Sequence, residues 1–207
     1  MPLALDQLPD IQHLRRRCQA LAMVEAIVSP EWDSRYYSFN ASWSSSEQMA
    51  SMRNGEGDDW FILFGPPGVG VKGRAHGTAS ACDPRRLAST RQCVPATLAS
   101  FLEEPAFNWN EMSFCYWRET GDPCWHRVAP PTTGDDGSED LLALLLQPAS
   151  SYVEFAAWYY EAALPHAIVE AIYAHQPLTQ ALVTAINPGL ALEDVQADAR
   201  EIGFPVA

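Results

Sequence analysis

Apolar residues in the first thirty positions recur at steps of three and four, the period of one face of an α-helix. The residues that follow this spacing are Leu5, Leu8, Ile11, Leu14, Cys18, Leu21, Val24 and Val28. Pro9 falls in the first turn, where proline is tolerated, and Pro30 ends the pattern. Arg15, Arg16 and Arg17 lie within it, and a solvated face accounts for them. The pattern predicts an amphipathic amino-terminal helix.

The central part of the chain has the alternating and short apolar patterns that are typical of β-strands. Residues 35–43 alternate aromatic and polar side chains, and residues 60–64 form an apolar run suited to a buried strand. A GPPG turn leads from this run to a hairpin partner at 69–74, and residues 113–118 and 124–128 flank a second turn. Residues 44–57 indicate a connection or a short helix, residues 76–94 a loop, and residues 95–104 a helix.

The last third of the chain is helical in pattern. A segment rich in Pro, Thr, Gly and Asp at 129–137 marks a boundary, and a short helix opens at 138. Further helices are predicted over 150–162, 165–175, 177–187 and 193–202. The sequence thus predicts an α+β fold: an antiparallel sheet of about five strands, an amino-terminal helix and a carboxy-terminal helical layer. Residues 1–137 would hold the helix and sheet, and residues 138–207 the helical layer, packed on the sheet as one domain.

The net charge comes entirely from the second half of the chain. Ten basic and ten acidic residues precede Ser100, whereas three basic and sixteen acidic residues lie from Ser100 onward, which gives −13 overall. Nucleic acids and anionic membranes require a positive face, so this charge argues against both as partners. An acidic surface instead favours a basic protein as the partner, because it would steer and orient one.

The chain also lacks the signals of export. No apolar run approaches the ~18 residues that span a bilayer, and the amino terminus has apolar residues before its arginines, the reverse of a secretory signal. We therefore expect a cytoplasmic protein. Its cysteines are odd in number and have no disulfide-scaffold spacing, so reduced thiols are expected. They are Cys18, Cys82, Cys93, Cys115 and Cys124.

The glycine-rich sequence GPPGVGVKG at 65–73 has the look of a phosphate-binding loop without its chemistry. Val71 separates Gly70 from Lys72, and Gly73 stands where a hydroxyl residue would hold Mg²⁺. The segment also continues as a strand pattern, whereas a phosphate loop must open a helix. We expect a hairpin turn here.

Three residues of the second hairpin have side chains that zinc prefers: Cys115, Cys124 and His126. Pairing of the strands could bring them together. A Cys-x-x-Cys spacing and a second cluster are absent, however, and ordinary packing of cysteine in a sheet accounts for the pattern equally. We predict no cofactor, and the possibility of metal binding at this hairpin stays open.

An enzyme of unrecognised family, hydrolytic or metal-assisted, is the alternative function that the sequence allows. It would use His126, His166 or His175 together with the cysteines. His166 and Glu170 are four residues apart and share a helix face, but a surface pair accounts for this spacing. No G-x-S-x-G or catalytic cysteine signature is present.

Acidic residues interspersed with an aromatic residue cluster around the second hairpin and the boundary segment. A solvated acidic surface explains each carboxylate singly, but as a group they make the best candidate for a partner-binding surface, because aromatic anchors ringed by charge are typical of interface hot spots. The candidate residues are Glu103, Glu104, Trp109, Glu111, Asp135, Asp136, Glu139 and Asp140.

Three stretches carry a resemblance to other proteins: MRNGEGDDWFILF at 52–64, FLEEPAFNWNEMSFCYW at 101–117 and YAHQPLTQALVTAINP at 173–188. Together they resemble a family of small, acidic bacterial proteins without an assigned activity, over most of the chain, and no functional residue can be transferred from it. In composition the chain is also similar to immunity proteins, which neutralise the toxins of neighbouring bacteria. The similarity to immunity proteins implies a binding protein that inhibits a toxin, and the acidic charge favours a basic one.

Overall fold

The computed structural model describes residues 2–78, 84–128 and 134–207. Cys82 and most of the predicted boundary segment lie outside the described residues. The strands of the described part form one antiparallel sheet in which each strand pairs with the next along the chain. They are β1 (Tyr37–Asn40), β2 (Gln48–Arg53), β3 (Asp59–Gly65), β4 (Gly68–Arg74), β5 (Phe114–Glu119) and β6 (His126–Arg127).

Helices precede the sheet, lie between β4 and β5, and follow the sheet. They are α1 (Ile11–Val28), α2 (Pro84–Cys93), α3 (Ala99–Glu103), α4 (Ser138–Leu141), α5 (Ala143–Leu146), α6 (Ala149–Tyr159), α7 (His166–Tyr173), α8 (Gln180–Ile186) and α9 (Gln196–Ile202). Short 3₁₀ turns occur at Leu5–Gln7, Trp32–Ser34, Ala96–Leu98, Pro105–Phe107, Trp109–Glu111 and Leu192–Val195. None of the helices in these described ranges is long and apolar enough to cross a membrane.

The predicted α+β class, with its amino-terminal helix and carboxy-terminal helices, is confirmed. The glycine-rich 65–73 segment forms a hairpin between β3 and β4, as predicted. Two local predictions were wrong. The segment predicted as a connection contains β2, which is buried at four successive positions and therefore lacks alternation. Most of the predicted 76–94 loop is α2, whose few apolar residues weaken the helical pattern.

Both faces of the sheet are covered, each by its own apolar core. On the first face, Trp60, Ile62 and Tyr116 pack with residues of α1 and of the carboxy-terminal helices. On the second face, Phe61 and Trp117 pack with residues of α3 and of the segments around it. Asp10 caps the amino terminus of helix α1, because its carboxylate accepts a hydrogen bond from the backbone N–H of His13. The sheet therefore separates two apolar cores, one covered mainly by α1 and the carboxy-terminal helices and the other by α3 and its neighbouring segments.

We expect Gly73→Ala in β4 to lower the free energy of unfolding by about 1–3 kcal/mol, because it overpacks the core. A Cβ at Gly73 would lie 1.9 Å from Cζ of Phe114, a ring that is 1% exposed. At Gly189 a Cβ would meet its nearest neighbour at 3.4 Å, so Gly189→Ala is the matched control. Urea denaturation measures both, and equal stabilities of the two variants would contradict the argument.

Candidate protein-binding groove

Three of the candidate residues from the sequence line one cavity of about 520 Å³ on the second face of the sheet. Glu103 is exposed at the end of α3. Glu104 is half-buried, and its Oε2 accepts a hydrogen bond of 3.0 Å from the indole N–H of Trp43. Trp109 is 7% exposed and packs its ring edge-on against Phe101, with centroids 4.9 Å apart. Glu103 is thus the member of this group that solvent reaches most freely.

Glu111, the fourth candidate, is engaged within the protein. Its carboxylate forms an ion pair of 2.6 Å with Arg74 and accepts a hydrogen bond of 2.7 Å from the side-chain amide of Asn108. Asn108 lines the same cavity and adopts a left-handed backbone conformation, with φ of +43°. Glu111 therefore fixes the cavity wall through Asn108 and Arg74.

The remaining four candidates lie around the start of α4. Asp136 is 2% exposed, and its Oδ1 accepts a 2.6 Å hydrogen bond from the hydroxyl of Ser138. The Ser138 hydroxyl in turn accepts a hydrogen bond from Tyr116, whose ring belongs to the first-face core. Asp135, Glu139 and Asp140 are exposed. The structure therefore divides the predicted acidic surface into two groups, associated with opposite faces of the sheet.

Two further cavities continue the one beside Glu103 in a row. One of about 570 Å³ shares Asn108 with it, and one of about 260 Å³ shares Trp32, Ser38 and Arg53 with the second. The Trp43–Glu104 hydrogen bond connects the wall of the 570 Å³ cavity to the wall of the 520 Å³ cavity. We call these three cavities together the aromatic groove. It runs past β1, β2 and β3 on the second face of the sheet.

Charged side chains along the aromatic groove differ in whether they are already paired. Asp59 forms a 2.9 Å ion pair with Lys72, and burial lowers the pKa of this lysine while Asp59 opposes the change. Arg53 lies over the rings of Trp32 and Phe61, with its guanidinium carbon 5.5 and 5.8 Å from their centroids.

Several carboxylates of the groove remain unneutralised. Within the described part of the chain, three of them have no hydrogen-bond or ion-pair partner for the side chain, and they belong to Asp33, Glu103 and Glu201. Unpaired carboxylates at a groove are available to a cation from outside the molecule.

Large aromatic side chains are exposed at one end of the groove and next to it, where Trp158 neighbours Tyr159. Trp158 is 77% exposed, Trp32 49% and Tyr159 39%. Trp32 and Tyr159 line the same cavity, and the Tyr159 ring stacks on Phe155 at 5.3 Å. Tyrosine, tryptophan and arginine are the residue types most enriched at interface hot spots. We call Trp32, Trp158 and Tyr159 the aromatic patch.

A buried carboxylate holds the elements that carry this patch. Glu25 of α1 is fully buried, and its oxygens accept hydrogen bonds from the hydroxyls of Tyr152 (2.6 Å) and Tyr160 and from the backbone N–H of Tyr36 (2.7 Å). Burial raises the pKa of the Glu25 carboxyl, and the tyrosine hydrogen bonds offset part of this rise. Glu25 thereby ties α1 to α6 and to the residue before β1.

The sequence contained a signal for both features. In a helix, successive residues are about 100° apart, so the run Trp158-Tyr159-Tyr160 cannot bury all three rings on one face. Similarly, Glu25 falls at a step of four from Leu21 and three from Val28, which is a core position of α1. A carboxylate at such a position requires partners, since an unpaired buried charge is costly.

The zinc-type residues of the second hairpin are not brought together. Cys115 is buried, which raises the pKa of its thiol, whereas Cys124 is exposed. His126 stacks on Trp117 and lies 3.1 Å from a carboxylate oxygen of Asp122. Among residues 2–78, 84–128 and 134–207, no three His, Cys, Asp or Glu side chains form a group that could hold a metal ion.

The other histidines named by the sequence have separate structural partners. His166 lies 3.7 Å from Glu170 at the surface, in the pairing expected for this spacing. The Nε2 atom of His175 is 2.8 Å from the backbone carbonyl oxygen of Arg16, and the imidazole stacks on Phe204. These contacts link α7 and the chain end to α1 and give no constellation of nucleophile and base.

The fold and the groove together define an α+β protein with an exposed aromatic surface beside unpaired carboxylates. No protein-family model, no curated protein and no solved structure matches the chain.

Proposed function

We propose that this protein is a binding protein that neutralises a basic protein partner, in the manner of an immunity protein that inhibits a bacterial toxin in the cytoplasm. The observation that carries the proposal is the aromatic patch, in which Trp158 is 77% exposed and stands beside Tyr159 at a ring distance of 6.0 Å. A contiguous group of exposed aromatic side chains is typical of a protein-binding surface.

The dimensions of the surface suit a macromolecule better than a small metabolite. The three cavities of the aromatic groove adjoin one another along the sheet, with shared residues at both junctions. A protein partner can bury the aromatic patch and fill the groove at the same time, which gives an apolar interface centre with a polar rim. The rim carboxylates of Asp33, Glu103 and Glu201 then set the orientation of the partner.

The charge of the whole chain supports a basic partner. A net charge of −13 attracts cationic proteins over a distance of about one Debye length and raises the association rate. A toxin that acts on an anionic substrate presents a basic cleft, and a carboxylate-lined surface competes with that substrate. The similarity in composition to immunity proteins agrees with this proposal.

The first test is capture at low salt from a lysate of the organism that encodes the chain, followed by identification of the captured protein by mass spectrometry. The proposal requires a basic protein that arrests growth when it is produced alone. Co-production of this chain should restore growth. A captured partner that is not toxic, or whose toxicity persists in the presence of this chain, would exclude neutralisation as the function.

With the purified partner, Glu103→Lys is expected to lower the association rate constant on the order of threefold or more at low salt, because it reverses a rim charge. The difference should shrink as salt screens the interaction. Glu193→Lys is the matched control, since Glu193 is exposed and lines none of the three cavities. Stopped-flow kinetics would contradict the proposed position of the interface if both variants associated at the same rate.

A further inference from the structure

A separate cavity of about 400 Å³ lies between the start of α1 and the loop that joins β1 to β2. None of the residues that line it lines the aromatic groove. Its volume is within the range of ~300–1,000 Å³ that small-molecule sites occupy. The polar residues that matter for its chemistry are Gln12, Arg15, Ser45, Ser46, Glu47 and Gln48.

Arg15 differs from the two arginines that follow it. Arg16 donates to the backbone carbonyl of Ala174, and Arg17 donates to that of Gln147. Arg15 has no hydrogen-bond or ion-pair partner among the described residues, and its Nε is buried. The buried Nε–H is a donor without an acceptor, and leaving such a donor unsatisfied is costly. The cavity that Arg15 lines is where an acceptor can be supplied.

The loop side of the cavity carries the complementary groups, which are acceptors that lack a donor or a cation. The side-chain oxygen Oε1 of Gln48 is buried and accepts no hydrogen bond. The Glu47 carboxylate accepts a 2.9 Å hydrogen bond from the hydroxyl of Ser44, but no cation of the described chain pairs with it. One wall thus lacks an acceptor for Arg15, and the other lacks a donor for Gln48 and a cation for Glu47.

From this arrangement we infer that the cavity binds a small zwitterion of the α-amino-acid class. The ligand carboxylate pairs with Arg15, whose planar guanidinium suits bidentate contact, and the ligand ammonium faces Glu47 and Gln48. The hydroxyls of Ser45 and Ser46 can donate or accept. A phosphate fits poorly, because a single arginine would oppose two negative charges and Glu47 would repel them.

The test is isothermal titration calorimetry of the full chain with each common α-amino acid, together with matched analogues that lack one charge. For alanine these analogues are propionate, without the ammonium group, and ethylamine, without the carboxylate. We expect at least one amino acid to bind and both of its analogues to bind about tenfold more weakly or worse, since each loses a charge-assisted contact. No binding by any amino acid, or equal binding by one analogue, would overturn the inference.

Variants locate the binding. Arg15→Gln and Glu47→Gln should each weaken it about tenfold or more, whereas Arg200→Gln, whose side chain donates to a backbone carbonyl of its own helix and lines none of these cavities, should leave it unchanged. Circular dichroism of the unliganded variants checks folding. If Arg15→Gln does not fold, the affinities of Arg15→Lys and Glu47→Gln for the amino acid test the site instead. Unchanged affinity in the folded charge-removing variants would contradict the site, and neither outcome depends on the proposed protein partner.

Discussion

Replacement of Glu25 by alanine is expected to lower the free energy of unfolding by at least about 3 kcal/mol, because it leaves several buried donors without an acceptor. The donors are the hydroxyls of Tyr152 and Tyr160 and the backbone N–H of Tyr36. The variant also creates a cavity in a region where Tyr152 is fully buried. Urea denaturation measures the change, and a loss below about 1 kcal/mol would show that the network contributes little.

Glu25→Gln provides the control that separates charge from shape, and it has a distinct pH signature. Burial raises the pKa of Glu25 in the folded state above its value of 4.5 in an exposed chain. Between these two values the folded state binds more protons than the unfolded state, so stability falls as pH rises through this window. The unfolding free energy of the wild type relative to Glu25→Gln should therefore decrease as pH rises above 4.5. A difference that is flat with pH would contradict a raised pKa.

The Glu25 network also connects the stability of the fold to the proposed interface. Tyr160 follows the last residue of α6, and the same helix carries Trp158 and Tyr159. Tyr36 contacts the Tyr159 ring edge-on at 5.1 Å while its backbone N–H donates to Glu25. The aromatic patch is exposed, yet its backbone is anchored through Glu25. The exposed aromatic patch is thus part of an anchored surface and is not produced by fraying of the end of α6.

The sequence predicted the fold wherever a local pattern coincided with the tertiary environment. The apolar spacing of α1 and the turn residues of the β3–β4 hairpin are local properties, and both elements form. Helix α1 nevertheless begins later than predicted, at Ile11, because Asp10 caps it, and Leu5 belongs to a separate 3₁₀ turn. Strand β2 has the sequence QMASMR, which has little intrinsic strand preference, and its conformation is set by pairing on both sides. The neighbouring strands therefore determine that β2 is a strand, and the pattern of residues within β2 alone does not predict it.

The candidate surface was predicted only in part, because linear clustering of charge does not reveal which side of the sheet a residue reaches. Glu103 and Glu104 do share a cavity with Trp109, but Asp136 lies among residues that contact the other face. Trp109 is buried because its ring packs into the apolar core on the second face of the sheet. That core is covered by α3 and the short segments around it. The position of Trp32 beside Arg53 depends on contacts between segments distant in sequence.

Trp158→Ala is expected to weaken binding of the protein partner by about thirtyfold, the effect of losing about 2 kcal/mol at an interface hot spot. Because the side chain is 77% exposed in the free protein, the variant should change the free energy of unfolding by less than about 0.5 kcal/mol. The combination of lost affinity and retained stability distinguishes a binding role from a structural one. Val206→Ala, which truncates an exposed apolar side chain outside the patch, is the control and should retain affinity. Full affinity of Trp158→Ala in calorimetry would place the interface elsewhere, since a partner that covers the aromatic patch must bury this ring.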